Sequence, residues 1–243
     1  LSALTLRRGE KFPGLIGLEE KQVFAKHRYF TLVIYFEARK EELKTVMGGG
    51  DGYDRGFADK IRGLSHPNIQ FGIPLMGDIE SLHDGLTGVT GSFRETVAGL
   101  RNLALTGQRV EIRVVIVREN YPRLPETAEF IYRNLPFAAH IAFMGLEMTG
   151  AAARNSDCVR VEPALYADAL LDAVRHLHRR AMAVSIYNLP LCLLPSQLRP
   201  FARDSISEWK KGFPEMCRTC RRQPDCPGFF MTSESMPSEV TPL

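Results

Sequence analysis

The sequence predicts an α/β fold with a parallel sheet, and three features carry that expectation. Apolar strand-like runs alternate with amphipathic helical segments at roughly thirty-residue spacing, the rhythm of βαβ units. Only four such strands are evident, enough for a half-barrel or a small open sheet and too few for a complete eight-fold barrel. Beyond the last of them, three of the five cysteines fall close together as C-x2-C-x5-C, so a C-terminal segment of different character follows the α/β part.

The elements follow in order. Residues 1–55 are the least regular. Tyr29–Phe36 has strand composition, and Glu37–Met47 reads as a short helix of mixed charge. Gly48–Gly52 then breaks regular structure; it lacks the Lys-Ser/Thr and G-x-G-x-x-G signatures of phosphate loops and reads as a connector. From about residue 56 the rhythm begins, with a buried strand over Asn68–Leu75. A helix over Gly91–Thr106 is predicted by the spacing of Phe93, Val97, Leu100 and Leu103, with Ser92 as its N-cap. Arg109–Val117 is the clearest strand. A helix over Leu124–Leu135, a strand over His140–Leu146, a helix over Pro163–Arg180 opened by its proline, and a strand over Ala183–Tyr187 complete the series. Phe201–Lys210 reads as a short amphipathic helix carrying the only tryptophan, Trp209. Residues 233–243 read as a polar, disordered tail.

Composition narrows the function classes. A chain of 243 residues, 44% apolar and 24% charged, is an ordinary globular protein of one or two domains. A net charge of +3 and a pI near 8.6, without a long basic run, do not indicate nucleic acid. No stretch approaches the length of a membrane span, and no signal peptide is evident. Five cysteines without a secretory signal read as reduced thiols, so the cytoplasm is the expected location.

Cys217 and Cys220 bend two thiolates toward a common point, Cys226 follows closely, and Cys192 stands 25 positions before Cys217. Thiolates without a nearby histidine suit either an all-thiolate zinc site or a [4Fe–4S] cluster. These four are the expected metal ligands, and Cys158 in the polar Asn155-Ser156-Asp157 stretch is expected to stay outside the set.

In parallel α/β architectures ligands bind at the carboxyl ends of strands. That rule points to the loop Pro74–Asp84 with its His83-Asp84 pair, to Arg118–Tyr121, to Glu147–Gly150, and to Tyr187 and Asn188. Arg113 lies inside an apolar strand, sharing a face with Glu111. A buried guanidinium needs an anion. Two readings stand for it: an ion pair with Glu111 or Glu147, or a clamp on a ligand carboxylate.

Over residues 57–230 the sequence resembles the radical SAM maturases of the His-Xaa-Ser repeat peptide system. The stretches that carry the resemblance are His66-Pro67-Asn68, Gly72-Ile73-Pro74-Leu75, His83-Asp84, Gly107 through Val115, and Ala128 through Leu135. They continue with Met144 through Gly150, Ser185 through Asn188, Leu191-Cys192, Ser205 through Lys210, and the three-cysteine tail. The resemblance implies a partial (β/α) barrel of the radical SAM type, with a C-terminal segment bearing an auxiliary [4Fe–4S] cluster on Cys192, Cys217, Cys220 and Cys226. It implies S-adenosylmethionine (SAM) as cofactor, with Arg113 near its carboxylate; Glu147, at a strand end that presents polar groups to a ligand, is expected as a second contact. The implied partners are a small His-Xaa-Ser repeat precursor peptide and a second radical SAM maturase, with no nucleic acid or membrane. The expected division is a divergent segment at 1–55, the second half of the barrel at 56–190, the auxiliary-cluster segment at 191–232, and the tail.

The sequence departs from that family at one place. The family's SAM-cleaving cluster sits on an N-terminal C-x3-C-x2-C motif, and here no cysteine precedes Cys158. The GGE motif for the SAM amino group is also absent. The expectation is therefore a truncated or degenerate member that does not itself generate the radical, with its catalytic residues unassigned. The alternative expectation is a non-catalytic module that binds a peptide or partner and is stabilised by an iron–sulfur or zinc site on the four cysteines.

Overall fold

The computed structural model describes residues 70–237 and 240–243, together with a two-residue antiparallel pairing of Ser2–Ala3 with Val33–Ile34. Apart from that pairing, the expected strand at 29–36, helix at 37–47 and glycine connector at 48–52 lie outside the described residues, as do His66 and Pro67. The remaining fold is α/β, as the sequence predicts. Among the described residues five strands form one sheet in the order β1-β2-β3-β4-β5. They are β1 (Gln70–Pro74), β2 (Arg109–Val115), β3 (His140–Met144), β4 (Val184–Tyr187) and β5 (Ala202–Arg203). The chain divides into two compact units, and the boundary passes through β2 after Arg113.

In the first unit β1 and β2 run parallel, with Phe71 opposite Val110, Gly72 opposite Glu111 and Ile73 opposite Ile112. Side chains alternate along a strand, so Phe71, Ile73, Val110 and Ile112 share one face. All four are buried. The other face carries Gln70, Gly72, Glu111 and Arg113, and is polar. Two helices connect the strands, α1 (Glu80–Thr87) and α2 (Ser92–Leu105). The stripe Val97, Leu100 and Leu103 is the buried face of α2.

Two expectations are corrected here. The segment holding His83 and Asp84 is not a loop but helix α1. Ser92 is not the N-cap of α2; Gly91 holds that position at φ 86°, and the capping oxygen comes from Asp84. The Gly91 and Phe93 N–H groups donate to Asp84 Oδ2 and Oδ1 at 2.5 and 2.8 Å, and the Ser92 hydroxyl donates to Oδ1 at 3.0 Å. A carboxylate from a preceding helix thus satisfies N–H groups that a helix start leaves unpaired, and it suits the positive end of the dipole.

In the second unit β3, β4 and β5 run parallel, with Ile141 opposite Val184 and Ile186 opposite Ala202. Helices α3 (Leu124–Asn134) and α6 (Pro163–His178) pack against each other, with Leu124, Ala128 and Ile131 buried on one and Tyr166, Leu170, Ala173, Val174 and Leu177 on the other. Between β3 and α6 lie two single turns, α4 (Ala151–Arg154) and α5 (Ser156–Val159). Asn120 fixes the chain after β2. Its amide donates to the Met76 and Val115 carbonyls at 3.0 and 2.8 Å, while its oxygen accepts from the Val117 N–H at 2.8 Å.

The helix expected over 201–210 does not form. Ala202–Arg203 adds instead to the sheet edge beside β4, and the Ser205 hydroxyl donates to Asn188 Oδ1 at 3.0 Å. Sheet pairing and that side-chain contact override a local periodicity too short to nucleate a helix alone. Trp209 is left half exposed, at 55%. A short antiparallel hairpin follows, β6 (Lys211–Gly212) with β7 (Phe229–Phe230), and residues 213–228 loop out from it bearing the cysteines. The tail also makes defined contacts: Glu234 N–H donates to the Met148 carbonyl at 2.9 Å, and Met236 and Val240 pack against Leu193, Cys217 and Phe229.

Candidate functional site

Cys192 lies in a single 3-10 turn just after β4, and Cys217 in another that follows Pro214. The Cys217 N–H donates to the Pro214 carbonyl at 2.8 Å, and the Cys220 N–H donates to the Cys217 carbonyl at 3.0 Å. This turn brings the C-x-x-C thiols to one side. A further turn over Gln223–Asp225 returns Cys226 to them. All four cysteines are free thiols lining one small cavity of about 310 Å³, whose walls are otherwise largely apolar, with Phe213, Phe229, Val240 and Leu243 among them. The grouping expected from spacing is thus present as a common cavity. Cys158 is exposed on α5 and is not among its lining residues.

The electrostatics of the cavity follow from that crowding. Burial pushes the Cys217 thiol up, and the neighbouring Cys220 and Cys226 add to it. Burial likewise raises Cys192, opposed by the Thr241 N–H and reinforced by Cys226 and Cys217. Four thiols on one cavity are a donor set that suits a cationic metal core. Among the described residues no three His, Cys, Asp or Glu side chains converge on a point that would hold a single metal ion.

A second, larger pocket of about 680 Å³ opens at the carboxyl ends of the strands in the second unit. Ile116, Gly145, Met148, Asn188, Arg160, Tyr166, Phe230 and Met236 are among its lining residues. Gly145 is required there. A Cβ at this position would lie 2.8 Å from both the Asn188 carbonyl oxygen and Leu189 Cδ2. Asn188 itself adopts φ 62°, a left-handed conformation that asparagine tolerates better than most residues. Arg160 is anchored to Glu162 Oε1 at 2.8 Å and donates to the Met236 carbonyl at 3.2 Å. Burial pushes the Tyr166 phenol well above its ordinary range, and the Glu162 charge adds to it.

Glu147 follows β3 and has two partners. The Lys210 ammonium donates to both of its oxygens, at 3.0 and 2.7 Å, and the Thr232 hydroxyl donates to Oε1 at 2.6 Å. Lys210 also sits over the rings of Trp209 and Phe230, 5.0 and 5.9 Å from their centroids. This cluster ties the cysteine-bearing hairpin to the end of β3.

Arg113 lies on the polar face of the first unit. Its Nε donates to Glu111 Oε1 at 2.5 Å, and the Gln70 amide donates to Glu111 Oε2 at 2.8 Å. Glu111 and Arg113 are 2% and 8% exposed, so the pair is desolvated. The guanidinium lies directly over Gly72, where a Cβ would meet Nε at 2.7 Å. The glycine makes room for the arginine. Of the two ion-pair partners considered for Arg113, Glu111 is the one it takes.

His83 is buried on α1, with Phe93 at 5.7 Å edge-to-face and Thr96 Oγ1 at 3.4 Å. Burial pushes its imidazole down to about 4, against the opposing charge of Asp84. Burial would also raise Asp84, but the Phe93 and Gly91 N–H groups, the Ser92 hydroxyl and His83 outweigh it and hold the carboxyl low. The pair therefore organises the helical connection.

No protein-family model matches the sequence, and no curated protein matches it. Among solved structures the chain is similar to a radical SAM methyltransferase from Sphaerobacter thermophilus, at 18% identity and a TM-score of 0.40 over 55% of this chain. It is similar to native anSMEcpe with bound AdoMet, at 12% identity and a TM-score of 0.44 over 65% of this chain. It is also similar to Streptococcus suis SuiB bound to S-adenosylmethionine, at 9% identity and a TM-score of 0.47 over 74%. The chain covers 37%, 40% and 43% of those three chains.

Sequence reasoning missed Asp84 as a cap, Lys210 as the partner of Glu147, and the backbone N–H groups of Thr241 and Leu243 at the cysteine cavity. Only the first carried a local signal, an aspartate seven residues before a glycine that starts a helix.

Proposed function

We propose that this chain belongs to a radical SAM peptide-modifying system and supplies its auxiliary iron–sulfur segment together with part of the α/β scaffold. The observation that carries the reading is the meeting of Cys192, Cys217, Cys220 and Cys226 on one cavity beside the sheet's last strands. The resemblance of residues 57–230 to the His-Xaa-Ser maturases and the parallel α/β fold support it. A [4Fe–4S] core is the group we assign to this all-thiolate donor set. When bound, such a cluster supplies electron transfer or a site for a substrate group.

The residues of this chain then have distinct tasks. The cysteines hold the cluster, and the largely apolar cavity wall limits water around it. Glu147 and Lys210 position the cysteine hairpin against β3. The pocket at the carboxyl ends of the strands takes the organic ligand that this edge of a parallel sheet is built to receive. Arg113 is assigned to the SAM carboxylate, which its terminal Nη groups would grip while Glu111 holds Nε. The peptide partner is a His-Xaa-Ser repeat precursor. Fluorescence anisotropy with a labelled repeat peptide and a scrambled peptide of the same composition tests this. Preferential binding of the repeat supports the reading, and equal or absent binding overturns it.

The absence of any cysteine before Cys158 favours a second reading for these 243 residues, a non-catalytic module that binds the peptide or a partner maturase. In that case the cysteine site serves as a structural staple alone, and metal removal unfolds the hairpin without any redox consequence.

A further inference from the structure

We propose that Val240–Leu243 is a strap over the four-cysteine cavity, which it grips by donating backbone N–H groups to the sulfurs of Cys192 and Cys220. The inference rests on reading the cavity as an iron–sulfur site only for its effect on redox potential.

The contacts are specific. The Leu243 N–H donates to Cys220 Sγ at 3.4 Å, and the Leu243 carbonyl accepts from the Arg221 N–H at 2.8 Å, so the strap runs beside the cysteine loop. The Thr241 N–H donates to the Cys192 sulfur. Pro242 between them has no N–H, which leaves 241 and 243 as the donors. Val240 packs against Leu193, Cys217 and Phe229, anchoring the near end. The two sulfurs reached belong to distant parts of the chain, one after β4 and one in the hairpin loop, so the strap clips them together.

An N–H dipole aimed at a thiolate sulfur stabilises its negative charge. On a cluster ligand it favours the more reduced, more negative state and so raises the reduction potential. Neighbours that orient and stabilise metal ligands typically matter tenfold or more in affinity. Thr241 and Leu243 are therefore positioning residues for the site, acting through main-chain atoms that no side-chain inspection would reveal.

Amide hydrogen exchange on the full chain, read by NMR at Thr241 and Leu243, tests the strap without requiring any metal. Both amides should exchange at least roughly tenfold more slowly than in an unstructured peptide of the same sequence. Protection at Thr241 should fall in Cys192→Ala, and protection at Leu243 in Cys220→Ala, each with little change at the other amide. Free-chain exchange of both amides in the wild-type protein overturns the proposal, as does protection indifferent to both substitutions. The wild-type measurement decides even where a variant fails to fold. In protein reconstituted with iron and sulfide, Leu243→Pro should shift the midpoint potential to more negative values. Failure of the wild-type chain to take up iron would overturn the cluster reading alone, leaving the exchange result to judge the strap.

Discussion

Lys210 and Glu147, 63 residues apart in sequence, meet through hydrogen bonds of 3.0 and 2.7 Å. The side chains are 24% and 18% exposed, so the pair is partly desolvated and its geometry matters more than that of a surface ion pair. It is the point where the hairpin carrying three cysteines is fastened to the end of a central strand.

Removing either partner should loosen that hairpin. Glu147→Gln and Lys210→Met are each expected to cost about 1–3 kcal/mol, with a coupling of about 1 kcal/mol or more in the double-mutant cycle. Urea unfolding of the four proteins gives the coupling. Strictly additive losses would mean that the pair fastens nothing.

Acid should weaken the first unit. The His83 imidazole titrates near 4 in the folded chain against an ordinary 6.5, so the unfolded state binds more protons between those values. Stability from keeping His83 neutral is complete above pH 6.5 and is lost as pH falls toward 4. The loss amounts to about 3 kcal/mol from this group. The depressed Asp84 carboxyl acts with the same sign at lower pH, through loss of its charge on the α2 cap. Denaturant titrations at pH 7, 5.5 and 4.5 on the wild type and His83→Leu should show a steeper pH slope in the wild type. Parallel slopes would contradict the assignment.

Gly72 should tolerate no side chain while Arg113 lies over it. Gly72→Ala places a Cβ at 2.7 Å from Arg113 Nε and should cost about 1–3 kcal/mol as the buried pair with Glu111 is displaced. In an Arg113→Met, Glu111→Gln background the same substitution should cost much less. An equal cost in both backgrounds would place the conflict elsewhere.

The chain should not cleave SAM reductively. Reductive cleavage in radical SAM enzymes needs a cluster with an open iron position, held by three thiolates beside the SAM site. The clustered cysteines here come after β4 and number four, which closes a cluster to SAM. Anaerobic incubation with SAM and dithionite should yield no 5′-deoxyadenosine above the protein-free control by chromatography. Turnover would show that a radical-generating site had been misread.

Much of the α/β part was legible because its signals are local. Runs such as Val110–Val117 and periodic stripes such as Val97, Leu100 and Leu103 announce their elements within a dozen residues. The strands β1 to β4 and helices α2, α3 and α6 fall within a few residues of the positions expected from sequence. The misses have two causes, a distant partner in one case and a weak local pattern in the other. The strand Ala202–Arg203 exists because β4 offers it an edge, and without that edge Phe201–Lys210 reads as a helix. Helix α1 is short and interrupted by Gly85, so its pattern is too weak to separate from a loop. The candidate site shows the same division. Cysteine spacing signals a cluster of ligands, whereas the Arg113–Gly72 contact, the Lys210–Glu147 bond and the N–H groups over the sulfurs appear only once the chain is folded.

Whether Cys192, Cys217, Cys220 and Cys226 together hold an iron–sulfur cluster is decided by quantifying iron and acid-labile sulfide after anaerobic reconstitution of the full chain. About four of each per chain are expected, with loading lost in each single Cys→Ala variant of the set and unchanged in Cys158→Ala. Stoichiometric zinc in place of iron, or full iron loading that survives Cys192→Ala, would contradict it.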